Sequence, residues 1–131
     1  MPDNAEPRAW PQILVVEDEP LIRLMVVDML GLLGWGALEA GSGTEALAIA
    51  GDPRRRLDAM MIDLGLPDQP GEEVVRWVGD LRPGLPVIVA TGSDTALAGR
   101  RLSYNGVITF LEKPYHLKDL ELAVATLSVV R

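Results

Sequence analysis

Three features of the chain point to an α/β protein with a parallel sheet. Four short apolar runs, Ile13-Leu14-Val15-Val16, Ala59-Met60-Met61-Ile62, Val87-Ile88-Val89-Ala90 and Val107-Ile108-Thr109-Phe110-Leu111, are continuous and not alternating, as strands covered on both faces are. Helix-like segments separate them, and strands alternating with helices make βα units. Each run also leads into residues suited to phosphoryl chemistry: Glu17-Asp18, Asp63, Thr91 and Glu112-Lys113-Pro114 respectively. Open α/β sheets carry their sites beyond the carboxyl ends of the strands, so the four endings are expected to converge on one edge.

Residues 1–11 hold Pro2, Pro7 and Pro11 among Asp3, Glu6 and Arg8, with no apolar signal-peptide core, and are expected to be a flexible tail before one domain over residues 12–131. After the first run, Pro20 suits a first helical turn and Gly34 an ending, which predicts a helix over residues 20–33. Ile22, Met25, Met29 and Leu32 or Leu33 recur there at three- and four-residue steps. Leu21, Leu24, Val27 and Leu30 make the other faces apolar too, a surplus that one buried side does not need.

A short strand is expected around Ala37-Leu38-Glu39, and Ser42-Gly43-Thr44-Glu45 is a capping box opening a helix with Ala46, Leu47 and Ala50 inward. Gly51-Asp52-Pro53 stops that helix, and Arg54-Arg55-Arg56 reads as a solvated connector. Beyond Asp63, Gly65-Leu66-Pro67-Asp68-Gln69-Pro70-Gly71 is a loop by its Gly and Pro content. A helix over residues 72–81 follows, with Trp77 as a packing residue, and Arg82-Pro83-Gly84 ends it. Residues 94–102 leave room for about two helical turns before Ser103-Tyr104-Asn105-Gly106. The final helix carries Leu117, Leu120, Val124 and Leu127 on a single apolar face, and no output domain is expected after it.

Composition narrows the function classes. With 131 residues and 48% hydrophobic content the chain has the material for one domain with a core, which argues against disorder. A net charge of −7 argues against a nucleic-acid surface and favours basic partners. The absence of cysteine excludes disulfides, thiolate catalysis and cysteine-based zinc sites. The longest apolar stretch, residues 29–38, falls short of the roughly 20 residues of a membrane helix, so a cytoplasmic protein without membrane insertion is expected.

Three carboxylates, one hydroxyl and one ammonium meet at the expected edge. Two unit charges about 4 Å apart repel by roughly 4 kcal/mol at an effective dielectric of about 20, so Glu17, Asp18 and Asp63 need a proton or a cation among them. A hard divalent ion such as Mg²⁺ suits oxygen ligands of this kind. Lys113 offers a point charge for a phosphoryl oxygen and Thr91 a hydroxyl donor.

An acidic pair after the first strand, a lone Asp after the third, Thr after the fourth and Lys-Pro after the fifth together resemble a response-regulator receiver domain of the single-domain type. The motifs that carry the resemblance are Ile13-Leu14-Val15-Val16-Glu17-Asp18-Glu19-Pro20, Met61-Ile62-Asp63-Leu64-Gly65-Leu66-Pro67 and Leu111-Glu112-Lys113-Pro114-Tyr115, and it covers residues 12–127. It implies a flavodoxin-like doubly wound sheet of five parallel strands in the order 2-1-3-4-5, with helices on both faces. It implies that Asp63 accepts a phosphoryl group from a histidine kinase or a histidine phosphotransfer protein. Asp18, Asp63 and the main-chain carbonyl of Gly65 would hold Mg²⁺ or Mn²⁺, with Glu17 acting through the metal's water. Lys113 and Thr91 would neutralise charge during transfer, and Thr91 with Phe110 would switch the surface of the segment after Thr91, the fifth strand and the last helix.

Pro114 resembles the family's cis proline, whose bend would aim Lys113 at the site. The docking surface would involve Ile22, Met25, Pro114 and Tyr115, with one of Ile22 and Met25 packing in the core instead. The downstream target is a protein of unstated identity, and the resemblance leaves room for a dimer formed on phosphorylation. Three departures stand out: Gly65 where larger or polar residues often tune hydrolysis, Gly92 and Gly99 flanking the segment after Thr91, and His116 at the start of the last helix. His116 is expected to be a plain surface or cap-region residue. The alternatives are a receiver-like interaction module that takes no phosphate, and a phosphatase with an Asp nucleophile, which would want an acid where Gly65 stands. A nucleotide-binding domain lacks the glycine-rich turn it would need after the first strand.

Overall fold

Among the described residues, strands and helices alternate as the sequence predicts from residue 12 to residue 91, and a further strand and helix span residues 108–129. The structure, a computed structural model, describes residues 10–92, 104 and 106–129. They form β1 (Gln12–Val16), α1 (Pro20–Leu32), β2 (Gly36–Ala40), α2 (Gly43–Ala50), β3 (Ala59–Asp63), α3 (Gly71–Leu81), β4 (Val87–Thr91), β5 (Ile108–Glu112) and α4 (Leu117–Val129). The strands make one sheet in the order β2-β1-β3-β4-β5, every pair parallel, which is the expected doubly wound order 2-1-3-4-5. Residues 1–9 of the expected tail and the predicted helix at 94–102 lie outside the described residues.

Alternate residues of the strands face two separate layers. On one side Ile13, Val15, Met61, Ile88 and Leu111 pack with Val26 and Leu30 of α1 and with Leu120, Ala123, Val124 and Leu127 of α4. On the other, Leu14, Val16, Met60, Ile62 and Val89 pack with Ala46 and Ala50 of α2 and with Val74, Val75 and Val78 of α3. Burying a side chain of this size contributes about 1.5–3 kcal/mol, so the doubly covered strands β1, β3 and β4 anchor the molecule. The carbonyl of Pro11 already belongs to this frame, since it accepts from Gly36 N–H at 2.9 Å.

Several expectations about helix faces need correction. The core face of α1 is Val26 and Leu30, with Val27, Met29 and Leu33 at its flanks, while both Ile22 and Met25 are exposed, so neither packs in the core. A helix apolar on all sides fits several faces equally well by spacing, and the sheet selects one. Trp77 is also exposed, because Val74, Val75 and Val78 already fill the sheet-facing side of α3. Leu117 is exposed in the first turn of α4, leaving Leu120, Val124 and Leu127 as its apolar face. Helix α3 opens one residue earlier than expected, at Gly71.

Helix α2 is short and held at both ends. Ser42 Oγ accepts from Glu45 N–H at 3.1 Å as the capping box requires, but the Glu45 carboxylate takes the N–H of Gly41, at 2.7 Å, and not that of Ser42. At the far end the Arg82 guanidinium donates to the carbonyls of Ala50, Asp52 and Arg55 at 2.8–2.9 Å, closing the carboxyl end of the helix from the α3–β4 turn. Arg54, Arg55 and Arg56 are exposed as expected, with Arg54 and Arg56 paired to Asp52 and Asp58.

Candidate functional site

The register of the sheet brings the strand ends level. Val16 lies beside Ile62, Asp63 beside Ala90, and Thr91 beside Glu112. Glu17 and Asp18 therefore leave β1 alongside Asp63 at the end of β3. The ladder continues past the strands, with Lys113 N–H donating to the Thr91 carbonyl at 2.8 Å and Leu64 N–H to that of Ala90 at 3.4 Å. This holds Thr91 and Lys113 side by side.

Glu17, Asp18 and Asp63 each offer a carboxylate oxygen within 4.8 Å of the others. Lys113 Nζ lies 2.7 Å from Asp63 Oδ2 and 4.0 Å from Glu17 Oε1. Asp63 Oδ1 accepts the N–H of Gly65 at 3.0 Å. Glu17 is only 6% exposed, and burial raises its carboxyl above the ordinary value of 4.5, with the Asp63 charge adding to the rise and the Glu19 N–H and Lys113 opposing it. Burial, helped by the carboxylates of Glu17 and Asp63, pushes the Tyr115 phenol up to about 12. Three carboxylates against one ammonium leave a concentrated negative charge among hard oxygen donors, a set that fits a divalent cation such as Mg²⁺ and suits neither a soft metal nor an anion alone.

The remaining predicted residues fall around this cluster. Phe110 is half-buried against the layer that holds α2 and α3. The Lys113–Pro114 peptide bond is cis. Ile22, Met25, Met29, Lys113, Pro114 and Tyr115 line a groove of about 430 Å³ between α1 and the loop after β5, next to the acidic cluster. His116 is exposed and sits in a helix-cap position, its N–H donating to Asp119 Oδ2 at 2.9 Å. Among the described residues, no helix is long and apolar enough to cross a membrane.

Two positions around the site escaped sequence reasoning. The Arg23 guanidinium donates to the Glu17 carbonyl at 2.7 Å and to the Glu39 carboxylate at 3.0 Å, pinning the turn that carries the acidic pair. Asp68 binds the start of α2 across 25 residues of sequence. Neither has a local signature, although a lone arginine on an otherwise apolar helix face, as at Arg23, was a hint that a partner existed.

Residues 13–125 match the family model of the response regulator receiver domain. The chain belongs to that family. Among related proteins, the probable transcriptional regulatory protein TcrX of Mycobacterium tuberculosis is 34% identical over 118 residues, which is 88% of this chain and 48% of the relative. Sensor kinase CckA of Brucella abortus is 31% identical over 112 residues, 86% of this chain and 12% of the kinase. The receiver domain thus spans less than half the length of these curated relatives. A response regulator receiver domain protein from Clostridium thermocellum superposes with a TM-score of 0.79 at 26% identity, covering 92% of this chain and 99% of that one. The receiver domain of sensor histidine kinase PA1611 from Pseudomonas aeruginosa superposes with a TM-score of 0.74, also at 26% identity and the same coverage, and has a magnesium ion coordinated in its active site cleft. Receiver domains of two-component systems, as these relatives illustrate, occur both in response regulators and in kinases.

Proposed function

We propose that this receiver domain takes a phosphoryl group on Asp63 from a phosphohistidine of a histidine kinase or phosphotransfer protein and presents a changed protein-interaction surface as a result. The single observation that carries the reading is the convergence on Asp63: Lys113 Nζ stands 2.7 Å from one carboxylate oxygen, and Asp18 and Glu17 offer theirs within 4.8 Å. An Asp63 carboxylate oxygen attacks phosphorus in line with the departing imidazole nitrogen of the donor. The new O–P bond forms as the N–P bond breaks, and the imidazole leaves with the electron pair and takes up a proton. Transfer of this kind is loose and demands little covalent work, so alignment and charge neutralisation set the rate.

Each residue has a part in that step. Asp18, Asp63 and the Gly65 carbonyl would hold Mg²⁺ or Mn²⁺, with Glu17 reaching it through water. When bound, the ion supplies positive charge to the phosphoryl oxygens. Lys113 pairs with Asp63 before transfer and is placed to follow charge onto the phosphoryl group. The Thr91 hydroxyl would move toward the same oxygens, and Phe110, half-buried on the neighbouring strand, would turn inward with it. The donor's helical bundle would dock in the apolar groove of Ile22, Met25, Pro114 and Tyr115, whose polar end is Lys113.

Intact-mass measurement after incubation with acetyl phosphate or phosphoramidate and Mg²⁺ tests the reading. The wild type is expected to gain one phosphate and Asp63→Asn none. Equal labelling of both would put the phosphate on another residue, and labelling of neither would leave a receiver-like interaction module that takes no phosphate; either result overturns the reading.

A further inference from the structure

The loop between Asp63 and α3 is fastened at three points. At its start, Gly65 N–H donates to Asp63 Oδ1. At its base, Gly71 N–H donates to the Leu64 carbonyl at 3.1 Å, an approach so close that a Cβ on Gly71 would lie 2.5 Å from Leu64 Cα. At its tip, the Asp68 carboxylate accepts from Gly43 N–H at 3.0 Å, from Thr44 N–H at 3.0 Å and from the Thr44 hydroxyl at 2.9 Å. Gln69 Nε2 adds a contact to Thr44 Oγ1 at 3.3 Å.

The first N–H groups of a helix have no partners of their own and carry its positive end, so a carboxylate is favoured there. Helix α2, however, already has a local cap in Ser42, with Glu45 closing the preceding turn. The contact from Asp68 is a second cap delivered from another βα unit, and what it fixes is the loop. Gly65 is exposed, and a Cβ built on it would meet only Asp63 Oδ1, at 3.8 Å. It has no packing of its own to hold its carbonyl in place. The orientation of that carbonyl is set by the fastenings on either side, and Asp68 is three residues away.

We propose that Asp68 is a positioning residue: by latching the loop to the start of α2 it holds the Gly65 carbonyl where a divalent cation meets the carboxylate cluster. The proposal rests on the part given to Gly65 above. Main-chain N–H bonds from Gly43 and Thr44 keep the Asp68 carboxyl below its ordinary value, so the latch is charged at neutral pH. Gly43 lets the start of α2 lie close against α3, since a Cβ there would lie 2.9 Å from Val74 Cγ2.

Mn²⁺ affinity of the unphosphorylated protein, measured by electron paramagnetic resonance of the free ion, tests the latch. Asp68→Ala is expected to raise the Mn²⁺ Kd about tenfold, the scale of losing a contact that orients a metal ligand, and Asp68→Asn, which keeps one acceptor oxygen, is expected to recover part of it. Thr44→Val removes the hydroxyl's contacts with Asp68 and Gln69 but keeps both main-chain bonds to Asp68, and should raise the Kd by a smaller factor, which carries the test if Asp68→Ala does not fold. Arg82→Ala loosens the opposite end of α2 without touching the loop and should leave the Kd unchanged. An Asp68→Ala protein that binds Mn²⁺ as the wild type does, or an Arg82→Ala protein that loses affinity equally, overturns the proposal. A wild type that binds Mn²⁺ but takes no phosphate would strike the function reading and leave the latch standing; a wild type with no affinity for Mn²⁺ overturns both.

Discussion

At Lys113 one ammonium stands against three carboxylates, and the distances decide what it does. At 2.7 Å from Asp63 and 4.0 Å from Glu17 it is bonded to the first and only near the second, so Asp63 is its partner. Lys113→Ala is expected to slow acetyl phosphate labelling about a hundredfold while Asp63 remains the labelled residue, the scale of losing one preorganised charge in a transfer site. Time-resolved intact mass reads that rate. Asp68 gives a prediction in pH. Its carboxyl is lower in the folded chain than its ordinary 3.8, so its stabilising contribution is present above that value and is lost as pH falls through the lowered one. The difference in melting temperature between wild type and Asp68→Asn should hold steady from neutral pH down to about 4 and shrink below it. Asp63, Thr91 and Lys113 were legible in the sequence because each lies at, or within two residues of, the end of a short apolar run. Asp68 and Arg23 were not, because their partners lie 25 and 16 residues away and no periodicity links them.

Helix α1 shows where reading by element breaks down. Its existence and limits followed from Pro20, Gly34 and the run of apolar residues between them, but its buried face did not. Leu21, Ile22, Leu24, Met25 and Leu32 are all exposed, while Val26 and Leu30 carry the packing. Periodicity selects a face only when the opposite face is polar, and here Arg23 and Asp28 are the only charges on the helix. Val26→Ala is therefore expected to cost about 2 kcal/mol in urea unfolding, whereas Met25→Ala should stay within about 0.5 kcal/mol of wild type. Equal costs would mean that the face is wrongly placed. Helix α3 differs from α1 in this respect: the charges Glu72, Glu73, Arg76 and Asp80 alternate with the buried line of Val74, Val75 and Val78. Trp77 was misplaced for the simple reason that a large aromatic on an amphipathic helix is more often inside than out.

For the molecule as a whole, the sheet explains both the fold and the site. Parallel strands covered on two sides need continuous apolar runs, and the order β2-β1-β3-β4-β5 places the ends of β1 and β3 side by side with β4 and β5 next in line. The parallel α/β class was readable from those runs alone, while strand order came from the motifs that resemble a receiver. Register then converts separate sequence positions into one cluster, so residues as distant as Glu17 and Lys113 share a site. The same edge leaves the apolar groove of α1 beside the acidic cluster. The central claim is that Asp63 is the residue that changes. Borohydride reduction of the acetyl phosphate-treated protein, followed by peptide mass mapping, tests it directly, because reduction marks an acyl phosphate as an alcohol at the residue that carried it. The account predicts the mark at position 63 alone and only when a divalent cation is present; a mark at Asp18, Glu17 or elsewhere, or one independent of the cation, would contradict it.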